Sequence, residues 1–323
     1  MKRLLIGLAL LLVLAVVVIV IYLKFVLPDA GTAPQLQVQI TPERVERGRY
    51  LAHHVMVCAD CHSIRDYNRF SGPLTGKPFS GGGDEFTEAN GLPGNFYAPN
   101  LTPFHLGEWT DGEIFRAITS GVSKDGRALF PVMPYLLYNQ SEAEDIYAVI
   151  AYLRTLEPVE NEVPASKAKF PVNFIMNTMP VKYTNPHKPE PDDKVAYGKY
   201  MATVAGCIEC HTPMKKGKPA WEEAFSGGRE FPLPGGILTT TNLTPDKETG
   251  IGMWTEEMFL TRFKAYADTG YVPHEVDFMK DFNTMMPWTL YSHMEEQDLK
   301  AIYAYLKSLE PINKPIVRFT PRN

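Results

Sequence analysis

Cys58-Ala59-Asp60-Cys61-His62 and Cys207-Ile208-Glu209-Cys210-His211 share the pattern Cys-x-x-Cys-His, and together they contain all four cysteines of the chain. This pattern is the attachment site of c-type haem, in which both thiols form thioethers with the macrocycle and the histidine binds the iron. The sequence therefore predicts two covalently bound haem c groups. The predicted attachment residues are Cys58, Cys61, Cys207 and Cys210, and the predicted proximal iron ligands are His62 and His211.

Three other uses of paired cysteines stay open at this point. A thioredoxin-like redox couple is disfavoured because no strand-helix-strand pattern surrounds either copy. A four-thiolate zinc site usually separates its two cysteine pairs by about 15–20 residues, whereas Cys61 and Cys207 are much further apart. A disulfide within each pair is the third alternative.

Length and charge limit the classes of protein that this chain can represent. With 323 residues it is long enough for two domains of ordinary size. The formal net charge is −5, and haem propionates would make it more negative. Because no strongly basic region is present, nucleic acid is not an expected partner. Proline is abundant and clustered, which favours loops and linkers over sheet.

The N-terminus contains an apolar run long enough to cross a membrane. Lys2 and Arg3 precede an uncharged stretch from Leu4 to Leu23, and Lys24 follows it. Twenty residues at a rise of about 1.5 Å match a hydrocarbon core of about 30 Å, whereas a cleaved signal peptide usually has a shorter apolar region. We expect an uncleaved single-pass anchor in the cytoplasmic membrane, with the positive residues inside and the remainder on the periplasmic or outer side.

The sequence repeats itself in two halves, each beginning before one Cys-x-x-Cys-His motif. The repeated pieces occur in the same order in both halves. They are Gly48-Arg49-Tyr50 and Gly198-Lys199-Tyr200, Phe79-Ser80-Gly81-Gly82 and Phe225-Ser226-Gly227-Gly228, Asn100-Leu101-Thr102-Pro103 and Asn242-Leu243-Thr244-Pro245, Trp109-Thr110 and Trp254-Thr255, Met133-Pro134 and Met286-Pro287, and Ala151-Tyr152-Leu153 and Ala304-Tyr305-Leu306.

The repeat predicts a mostly α-helical chain with two tandem domains. The predicted divisions are an anchor over 1–27, a linker over 28–41, a first haem domain over 42–158, a connector over 159–191 and a second haem domain over 192–323. We expect Thr41 to cap the first helix of domain one, with Pro42 at its first position. Ser141-Glu142-Ala143-Glu144 has the pattern of a capping box. The apolar segment 170–176 predicts that the connector packs between the domains.

Each domain offers a methionine as the second axial ligand of its haem. Met133 and Met286 follow their motifs at similar distances along the chain, and each precedes a proline, which stiffens the backbone. Ligation by methionine raises the potential of the iron and leaves no open position for a substrate. We predict both as iron ligands. The alternatives are that they only fill the core, that Met285 replaces Met286, or that Met179, which also precedes a proline, is a ligand.

Other candidate residues have weaker support in the sequence. His53 and His54 precede the first motif and are expected to be exposed. His105, His187, His274 and His293 have no counterpart in the other half. Trp109 and Trp254 are expected either to contact propionates or to line the haem. The remaining candidates form a basic cluster that is either a solvated loop or a surface steering an acidic redox partner, namely Lys215, Lys216 and Lys218.

These residues resemble a class I c-type cytochrome duplicated in tandem. The second half is similar to the cytochrome subunits of membrane-bound alcohol and gluconate dehydrogenases, through 242–246, Thr249-Gly250-Ile251-Gly252 and Met286-Pro287-Trp288. The resemblance implies a mostly α fold, histidine–methionine haems and electron acceptance from a dehydrogenase or quinol-linked partner. It also implies that a glycine in the first helix lets the last helix approach closely. Those subunits typically carry three haems, whereas this chain has two motifs.

The favoured function is electron transfer between respiratory partners, from a dehydrogenase or quinol-linked donor to an oxidase or other acceptor. The chain would act as an anchored carrier or as a subunit of a larger respiratory complex. The alternative is a dihaem enzyme, such as a peroxidase or a sulfur-compound dehydrogenase. An enzyme would need an open or displaceable iron position, which two methionine ligands disfavour.

Overall fold

A computed structural model describes residues 1–83, 85–267 and 270–322. For Glu85 it describes the backbone only. The chain is mostly helical. Its helices are α1 (Lys2–Ile21), α2 (Pro42–Tyr50), α3 (Cys58–Cys61), α4 (Pro103–Leu106), α5 (Asp111–Ser120), α6 (Tyr135–Tyr138), α7 (Ala143–Thr155), α8 (Val172–Ile175), α9 (Lys194–Val204), α10 (Cys207–Cys210), α11 (Glu256–Lys264), α12 (Trp288–Tyr291) and α13 (Glu296–Lys307). Single π-helical turns continue α1 and α2, over Tyr22–Val26 and Leu51–Val55.

Short antiparallel strands lie in the loops between the helices. They are β1 (Glu85–Phe86), β2 (Gly94–Tyr97), β3 (Lys167–Ala168), β4 (Met214–Lys215), β5 (Lys218–Pro219), β6 (Glu230–Leu233), β7 (Gly236–Thr239) and β8 (Phe319–Pro321). The strands pair in the orders β1-β2-β3, β4-β5 and β6-β7-β8. In the pairing of β2 with β3, Gly94 lies opposite Ala168, so the start of the connector is attached to the first half.

The first and last helices of each half cross at a glycine. A Cβ atom on Gly48 of α2 would lie 1.8 Å from the carbonyl oxygen of Ala148 in α7. A Cβ atom on Gly198 of α9 would lie 1.8 Å from the carbonyl oxygen of Ala301 in α13. No side chain fits at that separation, so the expected close approach is confirmed in both halves. The close approach packs α2 against α7 in the same way as α9 against α13.

The helix caps agree with the sequence at one predicted site and differ at the other. Thr41 caps α2 as expected, because its side-chain oxygen accepts a hydrogen bond from the amide of Arg44 at 3.3 Å. The capping box at Ser141 is wrong. Glu142 occupies the N-cap of α7, and no side chain caps it. The amide of Glu142 instead donates to the hydroxyl oxygen of Tyr200, 3.2 Å away in the other half of the chain.

The repeated Asn-Leu-Thr-Pro segment ties each half to the chain that follows its last helix. Asn100 donates from its amide nitrogen to the carbonyl oxygen of Val159 at 2.8 Å. Asn242 makes the equivalent bond to Ile312 at 2.7 Å. Each asparagine also accepts hydrogen bonds from the threonine two residues later. The loop and the end of the last helix are therefore joined in the same way twice.

The linker over 28–41 and the connector are packed against the body. The amide of Val38 donates to the carboxylate of Asp111 in α5 at 2.8 Å, and Val38 is buried. The expectation that segment 170–176 packs between the domains is wrong. Helix α8 contacts the turn Tyr22–Val26 that continues α1, and Phe170 is 82% exposed and Ile175 44%, so these side chains are not enclosed between the halves.

The residues from Lys2 to Val26 form a continuous, strongly apolar helical segment in which no residue is buried. This segment is long and apolar enough to cross a membrane, and an N-terminal signal sequence would meet the same criteria. Among the described residues it is the single helix with these properties.

Candidate functional site

Each Cys-x-x-Cys-His motif begins with one turn of helix. The residue before the first cysteine has a left-handed conformation in both halves, with φ of 44° at Val57 and 70° at Gly206. The amide of the histidine then donates to the carbonyl oxygen of the first cysteine, at 3.1 Å for His62 and 3.0 Å for His211. This turn directs both cysteines and the histidine from a single short segment, as attachment to one macrocycle requires.

The two motif histidines have the same hydrogen bond on the same ring atom. His62 Nδ1 lies 2.8 Å from the carbonyl oxygen of Pro99, and His211 Nδ1 lies 2.8 Å from that of Thr241. Because a carbonyl oxygen only accepts, Nδ1 carries the proton in both rings. The lone pair is then on Nε2, which is the atom available to a metal.

The charge state of these histidines also suits a metal ligand. Burial lowers the pKa of His62 to about 4, against a smaller opposite effect of the Pro99 hydrogen bond. Burial also lowers the pKa of His211. Both imidazoles are therefore neutral at neutral pH, which is the form that binds iron. The histidines thus fit haem c, whose iron they would bind through Nε2.

The alternatives to haem fit the cysteines less well. All four are free of disulfide bonds. In residues 1–83, 85–267 and 270–322, no three His, Cys, Asp or Glu side chains are placed to share a metal ion, which argues against the four-thiolate zinc site. Burial raises the pKa of the Cys58 thiol to about 12, whereas a thioredoxin-like nucleophile needs a lowered pKa.

A tyrosine links the segment after each predicted methionine ligand to the haem motif. Tyr138, in α6, donates from its hydroxyl to the carbonyl oxygen of Met56 at 2.7 Å. Tyr291, in α12, makes the equivalent bond to Ala205. Both acceptors lie two residues before the first cysteine of a motif. The sequence carries this signal as Met-Pro-x-x-Leu-Tyr in both halves, so the repeat extends beyond the methionine and proline to the tyrosine.

Met133 and Met286 are both partly buried and packed against the same apolar core as the motif cysteines Cys58 and Cys207. Each lies directly before the proline that precedes a short helix, α6 or α12. Their assignment as iron ligands stays a prediction. Met179 lies at the end of the turn after α8, on the part of the connector that contacts α1.

The methionine loop of the second half is held by a loop from the first half. Ser71 donates from its hydroxyl to the carbonyl oxygen of Met286 at 2.7 Å and accepts from the amide of Trp288 at 2.9 Å. The Ser71 amide donates to the side-chain oxygen of Asn283 at 2.9 Å. All four residues are buried or partly buried. Neither Ser71 nor Asn283 belongs to a repeated motif, so no pattern in the sequence indicates this contact.

The acidic residue inside each motif is paired with an arginine. Asp60 lies 2.7 Å from Arg65, whose side chain is almost completely buried. Glu209 lies 2.6 Å from Arg229. The carboxylates next to the attachment cysteines are therefore compensated by positive charge.

His53 and His54 were expected to be exposed, and this expectation is wrong. His53 lies 2.8 Å from the hydroxyl of Tyr152, and His54 Nδ1 lies 3.0 Å from the carbonyl oxygen of Leu290 in the second half. Both are half-buried because the last helix of the first half and α12 cover them. The ring of His54 stacks on His293 with centroids 5.1 Å apart.

The remaining candidates lie at the surface or line the core. His105 and His187 are exposed, and His274 stacks on Phe70 with centroids 4.9 Å apart. Trp109 and Trp254 are partly buried against the core. The basic cluster lies on the exposed β4–β5 hairpin, where Lys215 is paired with Glu222 and Glu223. These acids offset part of the positive charge that would steer an acidic partner.

Comparison with known proteins identifies a cytochrome c domain. Residues 195–310 match the sequence model of the cytochrome c family. The chain is 29% identical over 303 residues to the cytochrome c subunit of the alcohol dehydrogenase (quinone) of Gluconacetobacter polyoxogenes, covering 88% of this chain and 59% of the relative. It is 29% identical over 310 residues to the gluconate 2-dehydrogenase cytochrome c subunit of Pantoea cypripedii, covering 89% and 64%.

A shorter relative carries the description "diheme cytochrome c-type", from Cereibacter sphaeroides. It is 28% identical over 269 residues, which cover 79% of this chain and 82% of that protein. The chain spans about 59% to 64% of the two dehydrogenase subunits. A cytochrome c domain implies a covalently bound haem c, and the matched residues include Cys207, Cys210 and His211.

Proposed function

We propose that this chain is a membrane-anchored dihaem c-type cytochrome that transfers electrons between respiratory partners. The observation that carries the proposal is the identical hydrogen bond of the two motif histidines, from Nδ1 to a backbone carbonyl oxygen at 2.8 Å. It leaves Nε2 of His62 and of His211 to bind iron. Haem c, when bound, supplies a one-electron iron couple.

The first haem domain is proposed over 42–158 and the second over 192–323, with the anchor over 1–27. The matching helix crossings at Gly48 and Gly198 and the matching tyrosine bonds support two sites of one kind. Met133 and Met286 would complete the iron coordination and exclude substrate. This arrangement favours an electron carrier over a peroxidase or a sulfur-compound dehydrogenase.

The relatives supply the class of partner. Several are cytochrome c subunits of dehydrogenases, so a dehydrogenase or quinol-linked donor is proposed for this chain, with an oxidase or other protein as acceptor. The chain would act on the periplasmic or outer face of the cytoplasmic membrane. Copurification after extraction with a mild detergent would identify the neighbours in the complex.

Haem content gives the direct test. The detergent-purified protein should retain two haems per chain after acid-acetone extraction, measured as the pyridine haemochrome against protein concentration. The variant Cys58→Ala/Cys61→Ala should retain one, and so should Cys207→Ala/Cys210→Ala. One haem in the unaltered protein would contradict the dihaem assignment. Binding of carbon monoxide to the unperturbed reduced protein would favour the enzyme.

A further inference from the structure

The connector exposes a group of large apolar side chains beside the end of α1. We call Phe25, Phe170, Phe174 and Ile175 the interfacial patch. Phe170 is 82% exposed, Phe25 73% and Ile175 44%, and Phe174 is partly buried. The rings of Phe170 and Phe174 meet edge to face, with centroids 6.2 Å apart. Phe170 lies just before α8, Phe174 and Ile175 lie on it, and α8 contacts the turn that contains Phe25, so the four side chains lie on neighbouring segments. A group of exposed large apolar side chains normally marks an interaction surface.

The patch is joined to the apolar N-terminal helix. The side-chain amide of Asn177 donates to the carbonyl oxygen of Leu23 at 2.9 Å. Helix α8 and the turn Met176–Thr178 both contact the turn Tyr22–Val26, and Leu23 is partly buried while its neighbours are exposed. The connector therefore touches this helix at one defined level along its axis.

If α1 spans the membrane from Lys2 outward, that level coincides with the outer boundary of the hydrocarbon core. The 20 residues of α1 span about 30 Å at a rise of 1.5 Å per residue, which equals the thickness of the hydrocarbon core. The next turn contains Tyr22 and Lys24, and the Lys24 ammonium lies 5.4 Å from the Phe25 ring centroid. Aromatic residues and lysine are the side chains that concentrate at the headgroup region.

The patch is also fixed to the first half of the chain. Strand β3 pairs with β2, and the hydroxyl of Ser166 accepts from the amide of Tyr97 at 3.0 Å. On the other side, Lys182 pairs with Asp29 at 3.1 Å, just after the end of the apolar helix. Contact of the patch with a surface would therefore orient residues 42–158 relative to that surface.

We propose that the interfacial patch inserts into the headgroup–acyl boundary of the outer leaflet and is a second membrane contact beside α1. The proposal rests on the proposed function, since α1 must remain in the membrane. A lipid surface is favoured over a protein partner because the patch continues the fully exposed apolar surface of α1. The contact would hold the first haem domain in one orientation over the bilayer.

The test uses nitroxide labels on the full-length haem-loaded protein in phospholipid nanodiscs. In the haem-loaded protein of the proposed function the four native cysteines would be thioethers, so an introduced cysteine would be the single reactive thiol. Phe170→Cys tests the patch, Val13→Cys tests α1, and Val317→Cys is the control because Val317 is 72% exposed on the second half. Accessibility to oxygen, which partitions into lipid, is compared with accessibility to a water-soluble nickel complex.

The Phe170 label should show a ratio of oxygen to nickel accessibility severalfold higher than the Val317 label and closer to that of Val13. Equal ratios at Phe170 and Val317 would overturn the proposal, and so would a Phe170 label shielded from both reagents, which would indicate a protein occupant. If the Phe170 label fails this test while the Val13 label is exposed to lipid, α1 is a membrane anchor and only the proposed contact of the interfacial patch is rejected. A Val13 label exposed to water would reject both the anchor and the patch contact.

Discussion

Tyr50 of α2 donates a hydrogen bond to the carboxylate of Asp298 in α13 at 2.6 Å, across the junction of the two halves. The second half returns the same bond, from Tyr200 to Asp145 at 2.7 Å. Each tyrosine oxygen also accepts from a backbone amide at the start of the opposite last helix. The two halves are thus joined by a reciprocal pair of buried, charge-assisted hydrogen bonds.

Removing the Tyr50 hydroxyl should weaken this junction. In Tyr50→Phe, Asp298 loses one donor and the amide of Glu295 loses its acceptor, which should lower the free energy of unfolding by about 1–3 kcal/mol. Hydrogen exchange should increase both in α2 and in α12–α13. Chemical denaturation and exchange measured by mass spectrometry would check the two effects.

Tyr197→Phe is the matched control for that variant. Tyr197 donates to the other oxygen of Asp298 at 2.8 Å, but it lies in the same half as the acid. Its loss should lower stability while leaving exchange in α2 unchanged. Identical exchange patterns in the two variants would show that Tyr50 has no specific role between the halves.

Low pH should weaken the junction between the two halves, because it protonates Asp145. Burial acts to raise the pKa of this carboxyl, but Arg47, Lys188 and the Tyr200 hydroxyl outweigh it, so its pKa is lower in the folded chain. Asp145 therefore stabilises the fold above the ordinary aspartate pKa of about 3.9, and this contribution is lost as pH falls below that value. Denaturation at a series of pH values would measure the loss.

In Asp145→Asn the loss of folding stability at low pH should be smaller, because the carboxyl group that titrates is absent. Glu144→Gln, on the same helix but with an exposed side chain, should retain the full loss. Equal acid sensitivity of Asp145→Asn and Glu144→Gln would rule out this ion pair as the cause.

Replacing a predicted axial methionine should change one haem alone. Met133→Ala or Met286→Ala should lower the potential of the haem in the same half by on the order of 0.1 V, within the range of about 0.8 V that axial ligands span. The other potential should stay nearly constant. A spectroelectrochemical titration would resolve both haems.

Met179→Ala and Met285→Ala are the controls for the ligand assignment. Met179 also precedes a proline, and Met285 is adjacent to Met286. Neither variant should shift a potential. A shift in Met285→Ala without one in Met286→Ala would move the assignment by one residue.

The glycine at the helix crossing should not tolerate a methyl group. In Gly198→Ala the new Cβ would meet the backbone of Ala301, so the unfolding free energy should fall by at least about 2 kcal/mol, in the upper part of the overpacking range. Gly206→Ala is the control. Its nearest neighbour would be 3.9 Å away, and its left-handed backbone costs about 1 kcal/mol. A smaller loss in Gly198→Ala would contradict the close crossing.

Local patterns in the sequence were sufficient for the two Cys-x-x-Cys-His segments and the Thr41 cap of α2, whereas the close crossing at Gly48 followed from the resemblance to class I c-type cytochromes. These features depend on residues that are near one another in the chain or that occur twice in the same order. The capping box at Ser141 failed because a hydroxyl from the other half, that of Tyr200, binds the amide of Glu142. A local pattern carries no information about such a distant competitor.

The chain's own residues predict which groups could hold haem, because a Cys-x-x-Cys-His segment contains its chemistry within five positions. Only the tertiary structure decided which residues join the two halves. Both Tyr50 and Tyr197 bind Asp298, and only packing separates the bond across the junction from the bond within one half. The same holds for Ser71 at Met286 and for α8 against α1, since unrelated segments become neighbours only when buried surface and backbone hydrogen bonds are satisfied together.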